Sequence, residues 1–327
     1  MKKMTPILPR RAALAMALAG VMAVTACGGG GAEPASAKKI TVLHAPINYE
    51  PLYIAKQKGF FDEVGLDVDI RPGGTAQDNL SQLVGGSAAI STVSWDAAVT
   101  ATAEDLPIKL ISGAGLISKV VDTSGVVVRK DSGITDLSGL KGKTIAFNSL
   151  GSGGNVPVLQ ALTDAGVNLD TVKQVALPYA SMRTALSSSQ VDAIFPADSF
   201  YNQVISDASF HVIANPSRQY RAGLGITLWA ATDPWLQTNG ETAKKFNEAM
   251  AKAVAFYNDP GNADAVYKVR SEVTGNSIEN SKGPLVEQQV AVDPKVSQET
   301  TDALKKFGMA SKPKSVDEIL WEGAPRA

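Results

Sequence analysis

The sequence predicts an α/β protein of two lobes, each a doubly wound sheet with helices on both faces, joined by two crossing strands. Three observations lead there. Short apolar runs of strand length alternate with helical patterns along most of the chain. The rhythm breaks near residues 125–129, starts again, and ends in an apolar run at 225–231. Beyond residue 240 the patterns are helical only, as expected of helices packing around a sheet already built. Hydrophobic residues make up 44% of the chain and aromatics only 6%, so Ala, Val, Leu and Ile must fill the core. That suits strands buried between helices.

Taken in order, residues 39–44 form a first strand and 51–58 a helix with Pro51 near its first position. Residues 66–70 alternate with period two and form a strand. A helix over 77–84 is broken by Gly85 and Gly86, and a strand follows over 88–93. Ser94 or Asp96 caps a helix to about residue 103, and 108–112 is the next strand. The second lobe opens with a turn-rich stretch over 136–143. It continues with strands at 144–148, 172–177, 193–196 and 211–214, and helices at 154–165, 181–187 and 200–207. Helices are expected over 241–257, 263–273, 281–289, 298–307 and 316–320. The predicted lobes are residues 39–127 with 228–327, and residues 128–227.

The first 26 residues carry Lys2, Lys3, Arg10 and Arg11, no acidic residue, and an apolar run from 12 to 26. That run is shorter than the roughly 20 residues a bilayer span needs, so it reads as a signal peptide. It ends in Val24-Thr25-Ala26-Cys27, which resembles the lipobox of bacterial lipoproteins. Cys27 is the only cysteine, so it has no partner within the chain for a disulfide. The expectation is an exported chain, lipidated at Cys27, with residues 27–38 as a glycine-rich tether. Arg10-Arg11 hints at twin-arginine export, but the following residues fit the general route better.

Of 31 lysines and arginines, the four before Cys27 are removed with the signal; the 27 left face 32 acidic residues, a net charge of −5. A nucleic-acid partner, which needs a basic footprint, is not expected. The two histidines, His44 and His211, have no metal-ligand spacing, so neither metal nor cofactor is expected. Residues 139–144 end like a phosphate-binding loop, but position 137 is Leu137 and a strand follows where a helix belongs. No serine sits in a Gly-x-Ser-x-Gly turn, and an enzyme is not expected.

Residues 45–56, leading into Gly59-Phe60-Phe61-Asp62-Glu63, resemble the opening of substrate-binding proteins of ABC importers. The branch is that of nitrate, sulfonate and taurine binders, which also holds binders of thiamine-precursor pyrimidines. Asp136-Leu137 through Ala146, and Ser189-Gln190-Val191-Asp192-Ala193, resemble two further elements of that family. Gln190 stands where glycine is frequent. The resemblance implies the type II periplasmic-binding fold and a monomeric, lipid-anchored receptor. Such a receptor closes two lobes on a small organic anion and hands it to an ABC permease. It leaves two alternatives open: a heteroaromatic solute, or a sensor serving a signalling partner.

Ligands of open α/β sheets collect outside the carboxyl ends of the strands. The segments there give the candidate contacts Asn48, Tyr49, Pro51, Gly73, Gly74, Ser94, Trp95, Ser149, Gly151, Ser152, Gly153, Asn155, Tyr179 and Asp198. Glycines 151, 153 and 154 would let backbone N–H groups and a helix N-terminus approach an oxyanion, with Ser149 and Ser152 adding hydroxyl donors. Tyr49 and Trp95 would cover an apolar or planar portion of the solute.

Overall fold

The computed structural model describes residues 37–150 and 154–327. The expected signal peptide, Cys27 and the expected tether up to residue 36 lie outside the described residues, as do Gly151, Ser152 and Gly153.

The chain lays down β1 (Lys38–His44), α1 (Glu50–Gln57), α2 (Phe60–Glu63), β2 (Leu66–Pro72), α3 (Ala76–Val84), β3 (Ile90–Val93), α4 (Trp95–Ala103) and β4 (Ile108–Gly113). It then crosses to β5 (Val126–Arg129), β6 (Thr144–Phe147), α5 (Asn155–Asp164), β7 (Lys173–Ala176), α6 (Tyr179–Ser187), β8 (Ala193–Ile194), α7 (Asp198–Ile205), β9 (Phe210–Ala214) and α8 (Pro216–Arg221). It returns through β10 (Leu228–Thr232) and closes with α9 (Asp233–Asn258), α10 (Ala263–Thr274), α11 (Ile278–Ser281), α12 (Pro294–Lys306) and α13 (Val316–Ile319).

The first sheet has the order β2-β1-β3-β10-β4 and the second β7-β6-β8-β5-β9. Both are mixed rather than purely parallel. In each, the strand that arrives by a crossing, β10 or β5, lies antiparallel between its two neighbours. A chain crossing from the other lobe enters from the opposite end, so it must run against the home strands. Strands β1, β2 and β3 remain parallel, as do β6, β7 and β8, so their carboxyl ends share one edge.

Local chemistry sets the helix starts. Thr75 and Asp78 form a reciprocal capping box on α3, and the Ser94 hydroxyl accepts from the Ala97 N–H at 3.1 Å to cap α4. The long α9 packs on α1 and α2. Its Phe246 stacks on Phe61 at 5.8 Å and meets Trp229 edge-on at 5.4 Å.

One predicted helix is absent. Residues 281–289 are not helical: α11 ends at Ser281, Gly283 takes φ of 149°, and Pro284 comes next. Glycine in that region and the adjoining proline stop the helix. The chain then runs extended beside the first crossing. Gly113 N–H donates to the Val290 carbonyl, Gln289 N–H to Ala114 and Leu116 N–H to Glu287, each at 2.8 Å. The two crossings are themselves paired: Ile117 N–H donates to Leu224 and Ile226 N–H to Gly115, each at 2.8 Å. A third extended segment therefore lies beside the two paired crossings.

Candidate functional site

The crevice between the lobes is lined by residues just past the carboxyl ends of the strands. Ala45 and Ile47 come after β1, Ala76 after β2, and Ser94 after β3. From the other lobe come Asn148 after β6, Tyr179 after β7 and Phe195 after β8, with Ile226 and Thr227 of the returning crossing below them. The enclosed part measures about 40 Å³ and the crevice with its mouth about 510 Å³, so the lobes close on room for a small solute only.

Among the described residues no charged side chain lines this space, yet its field is not neutral. Ala76 opens α3, Ser94 caps α4, Gly154 caps α5 and Tyr179 opens α6, so four helix N-termini, two from each lobe, border it. Their dipoles, and the N–H groups that the caps leave free, favour negative charge. Gly154 is required where it stands: a Cβ there would come within 2.6 Å of the Phe195 ring.

Beyond Ile47 and Tyr179 the lobes meet through buried charge. The Arg270 Nε donates to Glu50 Oε1 at 2.7 Å within the first lobe, and its Nη2 lies 3.4 Å from Asp198 Oδ1 of the second. Burial pushes the Asp198 carboxyl up to about 6; Arg270 opposes that shift and Glu50 adds to it. Burial works to lower the Arg270 guanidinium, but the Glu50 and Asp198 carboxylates outweigh it and raise it. A second buried pair also joins the lobes. Arg221, at the end of α8, reaches both oxygens of Asp96 on α4 at 2.8 and 2.7 Å. Burial raises the Asp96 carboxyl against the pull of Arg221.

A model of the family described as "NMT1/THI5 like" matches residues 47–263. The chain belongs to the NMT1/THI5-like family. A protein named as a binding protein, YtlA of Bacillus subtilis (strain 168), is 23% identical over 87% of this chain and 80% of its own length. The 4-amino-5-hydroxymethyl-2-methylpyrimidine phosphate synthase of Aspergillus parasiticus is 27% identical over 68% of this chain and 67% of its own. Among solved structures, the alkanesulfonate-binding protein SsuA from Xanthomonas axonopodis pv. citri, bound to MOPS, superposes with a TM-score of 0.75. It is 19% identical and covers 90% of this chain and 100% of that one. The type II periplasmic-binding fold expected from the sequence is thus the fold of this NMT1/THI5-like chain.

Within that fold the expected contacts divide. Ser94 and Tyr179 line the crevice. Asn48, at φ of 57°, is buried beside it and donates from Nδ2 to the Thr227 hydroxyl at 3.2 Å. Tyr49 and Asp198 sit in the buried charge cluster, where burial and Glu50 raise the Tyr49 hydroxyl. Ser149 is buried after β6. Gly73 and Gly74 build the turn into α3: Gly73 N–H donates to the His44 carbonyl at 2.8 Å and Gly74 N–H to Asn79 Oδ1 at 3.0 Å. Pro51 is buried inside α1 and Asn155 turns its Nδ2 to Gln174 on β7 at 2.8 Å, so neither side chain lines the space.

Trp95 differs from its expected role. It is fully buried in the first lobe, its indole N–H held by the Thr301 hydroxyl at 3.0 Å, so it packs α4 on α12 and covers no solute. His44 is a buried strand-end residue bonded to the Tyr53 hydroxyl at 3.0 Å, and burial lowers its imidazole, keeping it neutral. Residues not anticipated are Asn148, Phe195, Thr227 and Arg270. Arg270 had a readable signal: it lies four residues after Val266, on the buried face of α10.

Proposed function

We propose that this chain is an exported solute-binding lipoprotein of an ABC importer, holding a small organic anion such as a sulfonate, nitrate or taurine between its lobes. The observation that carries this reading is a crevice with no charged side chain among the described residues that line it, bordered by helix N-termini from both lobes. A solute touching both lobes stabilises the closed form, which a permease can then recognise. The chain acts as a monomer in this reading and releases its solute unchanged. A lipid on Cys27 supplies the anchor in this reading; no helix among the described residues is long and apolar enough to cross a membrane. Similarity to a protein that binds alkanesulfonates supports the anion. A heteroaromatic solute is the second reading, favoured by Tyr179 and Phe195 on the crevice wall and by the pyrimidine-synthase relative.

The test is thermal unfolding with ethanesulfonate, taurine, nitrate, a hydroxymethylpyrimidine and benzoate in turn. Binding to the folded state raises stability by about 2.7 kcal/mol at a hundred times Kd, a shift that is readily measured. Stabilisation by the pyrimidine alone would replace the anion reading with the second one. Incorporation of labelled palmitate, lost in Cys27→Ser, checks the anchor.

A further inference from the structure

Two hydroxyls on the crevice wall have their acceptor positions filled. Thr92, on β3, lines the space and is 1% exposed. Its Oγ1 accepts from the Ala45 N–H at 2.6 Å and from the Asn79 amide Nδ2 at 3.2 Å. Thr227, on the returning crossing, also lines the space and is 5% exposed. Its Oγ1 accepts from the Gly115 N–H at 3.1 Å and from Asn48 Nδ2 at 3.2 Å. A hydroxyl has two acceptor lone pairs and one proton. Each of these oxygens therefore has only its proton left to offer, and neither donates it to an acceptor among the described residues.

The arrangement at Thr92 is built into the turn before α3. Asn79 is fully buried, and its Oδ1 accepts from the Gly74 N–H at 3.0 Å, which fixes the end of the amide that faces Thr92. Its Nδ2 then reaches both the hydroxyl and the carbonyl of Thr92, each at 3.2 Å. A Cβ on Gly73 would fall 2.0 Å from Asn79 Oδ1, so only glycine there leaves the amide its place. Gly73 and Gly74 thus bear on the crevice through Asn79. Two directions around Thr92 Oγ1 are taken by donors and a third by its own Cβ, so the proton keeps the fourth.

The rest of the described wall is rich in donors as well. The helix N-termini present N–H groups, while Ser94, Asn148 and Tyr179 are able to donate or accept, and no carboxylate is among the described lining residues. A solute oxygen that carries no proton meets Thr92 and Thr227 as an acceptor. An oxygen that carries one sets donor against donor, which leaves buried polar groups unpaired.

Resting on the anion reading above, we propose that the Thr92 hydroxyl, together with that of Thr227, is a specificity-determining contact that selects an oxyanion by its lack of protons. Asn79 is a positioning residue that acts through Thr92. The crevice accepts a sulfonate, which holds no proton, and rejects a singly ionised phosphonate, which has the same shape and charge but keeps a P–OH. Discrimination of this kind comes from hydrogen-bond polarity and not from net charge.

Calorimetric titration with ethanesulfonate and ethylphosphonate tests this, at one pH below the second ionisation of the phosphonate, so that both carry a single charge. The expected result is that wild type binds ethanesulfonate at least about tenfold more tightly, the effect of one good hydrogen bond lost and one donor left unpaired. Thr92→Val should shrink that ratio severalfold, and Thr92→Ser, which keeps the hydroxyl, should preserve it. Asn79→Leu frees an acceptor position on Thr92 and should also shrink the ratio. The ratio is the readout because a merely structural fault weakens both probes alike. Equal binding of the two probes by wild type, or tighter binding of the phosphonate, overturns the inference and leaves the anion reading standing. A ratio unchanged in Thr92→Val overturns the assignment to Thr92, and one unchanged in Asn79→Leu overturns the positioning role. Binding of neither probe overturns the anion reading, and this inference with it. The wild-type comparison decides the selectivity even if a variant folds poorly.

Discussion

Asp198 is the residue whose protonation the fold controls most visibly. Burial, with Glu50 adding to it, raises its carboxyl to about 6 against the pull of Arg270. In the unfolded chain an aspartate titrates near 3.9. Between about pH 4 and 6 the folded state therefore binds more protons than the unfolded one, so stability falls as pH rises through that window and stays lower above it. Asp198→Asn removes this titration. Its stability relative to wild type should be greater at about pH 7.5 than at about pH 4.5, by roughly 2 kcal/mol. Urea unfolding at both pH values checks it, and an equal difference at both would refute the shift. Arg270 is the counterpart. Arg270→Met leaves two buried carboxylates facing each other and should cost about 3–5 kcal/mol near neutral pH, with a loss below 1 kcal/mol counting against its role.

At the scale of elements, α5 and β8 set the crevice wall together, because Gly154 lets the start of α5 approach Phe195. Gly154→Val should overpack that contact, cost about 1–3 kcal/mol, and weaken solute binding by displacing Phe195. Unchanged affinity alongside lost stability would separate Phe195 from the site. Elements of this kind were mostly legible from sequence. The apolar runs of β1 and β3 and the cap at Ser94 are local signals, and local signals place strands and helix starts. Residues 281–289 misled because Glu287, Gln288 and Gln289 favour helix by propensity, whereas Gly283, Pro284 and pairing to the distant Ala114 decide the outcome. Trp95 misled for a similar reason. Its place after β3 is where ligand contacts gather, but the side chain turns back to Thr301, 206 residues away in sequence. Phe195 and Thr227 were missed because only the closing of two lobes makes them neighbours.

For the whole molecule, the question is what holds the lobes shut. Two buried ion pairs join them, Asp96 with Arg221 and Asp198 with Arg270, and the crevice encloses only about 40 Å³. Each pair is satisfied only in the closed arrangement, since its partners lie in different lobes. Breaking one by removing a single partner leaves a buried charge uncompensated, and opening the lobes to water is the cheapest relief. Asp96→Ala should therefore shift the population toward an open form rather than unfold the chain. Small-angle scattering should give a larger radius of gyration for the solute-free variant than for wild type. Saturating solute should contract the variant by more than it contracts wild type, because binding must now supply the closure. The same variant should bind more weakly by the factor its closed fraction has fallen, although Asp96 does not line the crevice. Weakened binding without a change in scattering would mean that Asp96 acts on the crevice directly, and the closure role would fall.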